Sequence, residues 1–207
     1  MYTGRVWRFS PQYHKLAPLA WVRGRPAHKP MALFTGKGDN GTTKTFGCDQ
    51  QRISKSSELP EALGALDELN AYLGLVKTGG APKRIEGALR GAQEMLFIIQ
   101  AELAGAPKML PEDAVGKLEA EVNALEKAMP PITQFSIAGG TELSASLDVA
   151  RTLARRAERR VVAVADLGIR AVSPATKAYL NRLSSLLFAL ARFANHDAGV
   201  ADEHPRY

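Results

Sequence analysis

Between residues 59 and 197 apolar side chains return every three or four positions, and almost nothing alternates apolar with polar. That period belongs to helices with one buried stripe, so a sheet framework is excluded. Leu63, Leu66, Leu69, Leu73 and Val76 predict a helix over 59–77, stopped by Gly79 and Gly80. Pro82 opens the next as a first-turn proline, and Ile85, Leu89, Ala92, Leu96, Ile99 and Leu103 carry it over 83–104. Val115, Leu118, Val122 and Leu125 predict a third over 112–128, ended by Pro130 and Pro131. A fourth runs over 142–167 through Leu143, Leu147, Ala150, Ala154, Ala157, Val161 and Val164, up to Gly168. Ser173 and Pro174 are the N-cap and first turn of a fifth, 174–197, with a stripe of Leu180, Leu183, Leu187 and Ala191. Five helices on short connections predict an all-α fold, a five-helix up-and-down bundle.

Outside the bundle the chain changes character. Residues 1–30 have no steady period, four prolines, six basic residues and no acid. They read as a basic, disordered N-terminal extension upstream of Met31, with a targeting segment as the alternative. Removing those six charges leaves 21 basic against 21 acidic residues, so the net charge of +6 sits in the extension. A neutral body lacks the footprint of a nucleic-acid binder. Residues 31–57 form a Gly/Thr/Lys-rich loop, 58–198 the bundle and 199–207 a C-terminal tail. Cys48 is the single cysteine, so no intrachain disulfide forms, and a reducing, cytoplasmic setting is expected. No apolar run approaches the roughly 20 residues of a membrane helix.

Four histidines, His14, His28, His196 and His204, leave none within residues 29–195. A Glu-x-x-His metal site in the bundle and a His-dependent nucleophile are therefore disfavoured, and no protein metal ligand is assigned. Three features could carry other chemistry. In Thr35-Gly36-Lys37-Gly38-Asp39-Asn40-Gly41-Thr42-Thr43, glycines let backbone N–H groups approach a phosphate chain, and Lys37, Lys44, Thr35, Thr42 and Thr43 add donors. Thr42 stands where a Walker A loop needs lysine, and a plain glycine turn is the alternative. In the run from Arg151 to Arg160, helical spacing puts Arg151, Arg155 and Glu158 on one face and Arg156 and Arg160 on another. One acid among five arginines suggests an anion or a partner's carboxylate; a solvated stripe is the alternative. Asp67 and Asn70 share a face beside the leucine stripe of the first helix, where exposed polarity is the simpler reading.

Together, in this order, these features resemble the PduO-type ATP:cob(I)alamin adenosyltransferases. The matching stretches are TGKGDNGTTKT, RISKSSELPEALGALDELNAYLGL, FSIAGG, ARTLARRAERRVV and YLNRLSSLLFALARFAN, from about Leu33 to Asn195. The resemblance implies a homotrimer of five-helix bundles with active sites between subunits. It implies transfer of the 5′-deoxyadenosyl group of ATP to the cobalt of reduced cobalamin, with release of triphosphate. A non-catalytic ATP-binding helical-bundle sensor is the alternative.

Carried over by motif, Thr35, Gly36, Lys37, Gly38, Thr43 and Lys44 would wrap the triphosphate, with Lys55 as a further phosphate ligand. Arg155, Arg156, Glu158, Arg159 and Asn181 would complete the ATP pocket. Asp67 and Arg151 would pair across the subunit interface near the corrin, and Phe135 would face the corrin's lower side. Mg2+ would accompany ATP on its phosphate oxygens. The implied partners are ATP, cobalamin, a flavoprotein reductase and an adenosylcobalamin-dependent enzyme, with no nucleic acid and no membrane. The chain departs from the family pattern at Ala138, where proline is usual, at Asp148, where histidine is common, and at Ser185, where aspartate is usual.

Overall fold

The computed structural model describes residues 33–46 and 51–206, so the extension 1–30 and Cys48 lie outside the described residues. The described residues divide after Thr35, and all regular structure lies in the unit that begins at Gly36. That unit opens with a two-stranded antiparallel ribbon, β1 (Thr42–Thr43) and β2 (Ile53–Ser54), with Thr42 opposite Ser54 and Thr43 opposite Ile53. Five helices follow: α1 (Glu58–Thr78), α2 (Lys83–Ala104), α3 (Ala114–Glu126), α4 (Glu142–Asp166) and α5 (Pro174–Asp197).

The predicted stripes are the core. Leu66, Leu69, Leu73, Ile85, Leu89, Leu96, Ile99, Leu125, Leu147, Leu183 and Leu187 are fully buried. Each side chain of that size contributes roughly 1.5–3 kcal/mol by leaving water. α4 presents Ala150, Ala154 and Ala157, all fully buried, so its neighbours α1 and α5 can approach closely. α2 packs on α1, and α3 on α5. One prediction was too long: α3 starts at Ala114 and ends at Glu126, two residues inside the expected 112–128 at each end. Pro111 accepts a turn bond from the Ala114 N–H, and Val115 and Val122 are only partly buried, so little core holds further turns.

Local chemistry fixes the helix ends near the site. Thr141 caps α4 by accepting from the Ser144 N–H at 3.1 Å. Ser173 caps α5 the same way, accepting from Thr176 N–H at 3.1 Å, with Pro174 in the first turn. Glu102 of α2 then accepts from the Ser173 N–H at 2.8 Å and the Thr176 hydroxyl at 2.5 Å, locking the start of α5 to α2. No helix of the described residues is long and apolar enough to cross a membrane.

Candidate functional site

The glycine-rich loop folds as successive turns. Gly36 and Gly41 both adopt left-handed backbone angles, φ +67° and +76°, which favour glycine. Asp39 N–H donates to Gly36 O and Gly41 N–H to Gly38 O. Asn40 Oδ1 accepts from both the backbone and the hydroxyl of Thr42, at 3.2 and 2.7 Å. Arg52, which sequence reasoning passed over, donates to the Thr42 hydroxyl and carbonyl, each at 2.6 Å, and ties the loop to β2. Lys55 follows β2 and donates its backbone N–H to Gly41 O at 2.9 Å. Its Nζ lies 3.1 Å from the point where a Cβ on Gly38 would sit. The ribbon thus brings the Lys55 ammonium close to Gly38 of the loop. Thr35 belongs to the preceding unit.

A second group gathers in a cleft of about 500 Å³ between α4, α5 and the connection that precedes α4. Phe135, Arg151, Arg155, Ser184, Ser185 and Phe188 line it. Phe135 is 79% exposed, so it is not a core phenylalanine. Ser185, one of the departures from the family pattern, stands in this cleft. Arg155 is exposed and, among the described residues, has no ion-pair or hydrogen-bond partner.

Within the chain, Arg151 Nε donates to Asp148 Oδ1 at 2.9 Å, one turn back on α4, and its guanidinium lies 6.0 Å from the Phe188 ring centre. Asp148, the second departure, is thus the carboxylate that holds Arg151. Asp67 is exposed on α1 and has no ion-pair partner among the described residues.

The other face of α4 is closed by α1. Arg156 bonds Glu68, and Arg160 sits 3.9 Å from Glu61. Glu158 points to α5, where Asn181 Nδ2 donates to it at 3.0 Å, and Arg182 donates to Asn181 Oδ1 at 2.7 Å. Arg159 is exposed, with no ion-pair partner among the described residues.

The connection that carries Phe135 is anchored by a residue not singled out from the sequence. Asn195 Oδ1 accepts from the Thr141 N–H and hydroxyl, at 2.9 and 3.1 Å, and its Nδ2 donates to Gly139 O at 3.0 Å. A Cβ on Gly140 would lie 2.5 Å from that amide, and Gly140 has φ +91°, so only glycine fits. The neighbouring pair of glycines ahead of a capping threonine was the available signal.

A family model for cobalamin adenosyltransferase matches residues 33–194. The corrinoid adenosyltransferase PduO of Citrobacter freundii is 40% identical over 176 residues, covering 81% of this chain and 51% of that protein. The Salmonella typhimurium PduO is 39% identical, with 83% and 52% covered, so the chain spans about half the length of these two relatives. The corrinoid adenosyltransferase of Mycobacterium bovis is 37% identical and covered over 91% of its length. Among solved structures, a variant PduO-type ATP:corrinoid adenosyltransferase from Lactobacillus reuteri, complexed with cobalamin and ATP, superposes with a TM-score of 0.77 at 29% identity. That match covers 84% of this chain and 97% of the other.

Proposed function

The chain belongs to the cobalamin adenosyltransferase family, and from that membership we propose that it transfers the 5′-deoxyadenosyl group of ATP to the cobalt of cob(I)alamin. The cobalt–carbon bond forms as the C5′–oxygen bond breaks, and the electron pair of that bond leaves on triphosphate. The observation that carries the reading is the cleft, lined by an exposed phenylalanine and by an arginine with no ion-pair partner among the described residues. A buried core or a solvated charge stripe would place neither there.

The residues present suit this chemistry. Co(I) is already a strong nucleophile, so no general base is required. The protein's work is to hold C5′ in line with cobalt and to offset charge developing on the leaving group. Backbone N–H groups around Gly36 and Gly38, with Lys37, Thr43, Lys44 and Lys55, are assigned to the triphosphate. Arg155, Arg156, Glu158, Arg159 and Asn181 are assigned to the rest of ATP. Mg2+ is proposed to arrive on the phosphate oxygens, with the protein supplying few ligands. Phe135 is assigned to the lower face of the corrin, where an apolar ring keeps the lower axial position free of water and of its ligand.

The assembly is proposed to be a homotrimer in which Asp67 reaches a neighbouring subunit's cleft. Asp148 takes only the Nε–H of Arg151, whose other donors remain for the neighbouring subunit's Asp67, and Asp67 is exposed with no ion-pair partner among the described residues. A flavoprotein reductase, an adenosylcobalamin-dependent client enzyme and a cytoplasmic setting complete the proposal. Residues 1–30 are proposed to be dispensable for turnover.

The test is spectroscopic detection of adenosylcobalamin from ATP and chemically reduced cobalamin. Product formation with one triphosphate per adenosylcobalamin is expected. Tight ATP binding with no cobalt–carbon product would overturn the reading and leave a nucleotide sensor.

A further inference from the structure

The residues after α5 do not trail away from the bundle. They fold back along the connection between α3 and α4 that carries Phe135. His204 Nδ1 lies 2.9 Å from the Phe135 carbonyl oxygen, and the Ile137 N–H donates to the Glu203 carbonyl at 2.7 Å. Asp202 accepts from Arg192 Nε at 2.8 Å, and the same guanidinium donates to the Pro130 carbonyl at 3.1 Å. Arg192 is 11% exposed at its side chain and Asp202 21%, so this ion pair is shielded from solvent.

Beyond the Asn195 anchor at Gly139, the connection has little else to hold it. Among the described residues, the bond from Ile137 to Glu203 is the one backbone–backbone hydrogen bond made by residues 130–140. The cleft lies on one side of this connection. On its other side is a hollow of about 330 Å³, walled by Pro131, Ile132 and Gln134 and closed by Val200, Asp202 and His204. Ile132, Gln134 and Ser136 border both spaces, so this part of the chain is a single-layer partition. An exposed aromatic on an unsupported partition would sample many positions, and the cost of ordering it would fall on substrate binding.

We propose that residues 200–204 are a positioning strap for Phe135, with His204 and the Arg192–Asp202 pair as its two fastenings. A carbonyl oxygen can only accept, so His204 carries a proton on Nδ1 in this arrangement. The strap touches no reacting atom. It sets the lower-face wall in place before cobalamin arrives. The kinetic arm of the test rests on the adenosyl-transfer reading; the exchange arm does not.

The experiment compares full-length wild type with His204→Ala, His204→Asn, His204→Gln and Asp202→Ala. Amide hydrogen exchange at Ile137 should accelerate about tenfold in His204→Ala and Asp202→Ala, the loss of roughly one hydrogen bond. The KM for cobalamin should rise by a similar factor in those variants while the KM for ATP stays within about twofold. Asn offers an N–H at nearly the place of Nδ1 and should restore both readouts. Gln offers its N–H further out and should not. Unchanged exchange in His204→Ala and Asp202→Ala would overturn the strap. Equal loss for cobalamin and ATP would also overturn it, since it would mark general destabilisation. If wild type forms no adenosylcobalamin, the functional reading fails, and the exchange arm still decides whether the strap exists.

Discussion

Two adjacent rows of arginine on α4 meet opposite fates. Arg156 and Arg160 turn to α1 and find Glu68 and Glu61 there. Arg151 and Arg155, five positions earlier in each case, line the cleft with Phe135, and Arg155 keeps no partner among the described residues. The sequence run looks uniform, yet the fold pairs one row with carboxylates of α1 and turns the other to the cleft, where Asp148 holds Arg151 and Arg155 stays open. An exposed ion pair contributes only about 0–1 kcal/mol. An unpaired guanidinium beside an apolar ring contributes little to stability, so a functional role for it is tested by activity and not by melting.

The largest effect expected from that contrast is at Phe135. Its side chain is exposed, so Phe135→Ala forfeits none of the roughly 3–5 kcal/mol of a core phenylalanine, and the melting temperature should hold. Conversion that starts from cob(II)alamin and a reductant should fall on the order of 100-fold, equivalent to about 2.7 kcal/mol. Conversion from ready-made cob(I)alamin should fall much less, because that nucleophile needs no help to form. Parallel losses in the two assays, with a collapsed melting temperature, would make Phe135 a packing residue.

Next comes the pair of rows itself. Arg155→Ala should weaken ATP use about 10- to 150-fold, the cost of one charge-assisted contact of roughly 1.5–3 kcal/mol. Arg156→Ala removes a guanidinium already held by Glu68, and its effect on ATP should be clearly smaller. Its stability should change by no more than about 1 kcal/mol. Steady-state ATP kinetics and urea midpoints on both variants decide the matter. Equal ATP defects would erase the distinction between the rows.

Lys55→Ala should fall between them, near tenfold in the KM for ATP, the low end for a charge-assisted contact. The ribbon that carries Lys55 is fastened by Arg52, so the loop should keep its shape and kcat should change little. A fall in kcat with an unchanged KM would move Lys55 out of the phosphate site.

The stripes of leucine and alanine made the bundle legible, because burial enforces a 3.6-residue period and nothing competes with it in α1, α2, α4 and α5. The two faces of α4 were legible for the same reason. Which row would be neutralised was not, since Glu61 and Glu68 lie some 90 residues away and only packing brings them near. The bond from Arg151 to Asp148 was not read, although the two stand one turn apart on α4. The strap was invisible: residues 199–206 have no period, and their bonds use backbone carbonyls and single side chains. Asn195 was hidden likewise, as its amide serves a turn 54 residues earlier in the chain.

The smallest effect at neutral pH belongs to the far side of α5. Tyr179 is buried among Ala88, Met95, Ala114, Leu118 and Leu186, away from the cleft. Burial pushes its hydroxyl well above the ordinary value of 10.0. The folded chain therefore keeps that proton at a pH where the unfolded chain has lost it. Its contribution is fully present below about pH 10 and declines as pH rises above that value, by about 1.4 kcal/mol per unit, until the raised folded value is reached. Tyr179→Phe keeps the ring and removes the titration. At pH 8 the variant should turn over like wild type and differ in stability by no more than about 1 kcal/mol. Between pH 9 and pH 11 it should lose about 1 kcal/mol less than wild type, read from urea midpoints. Matching alkaline slopes in the two proteins would show that Tyr179 ionises without unfolding. A changed KM for ATP or cobalamin in the variant would mean that the far side of α5 is not separate from the cleft.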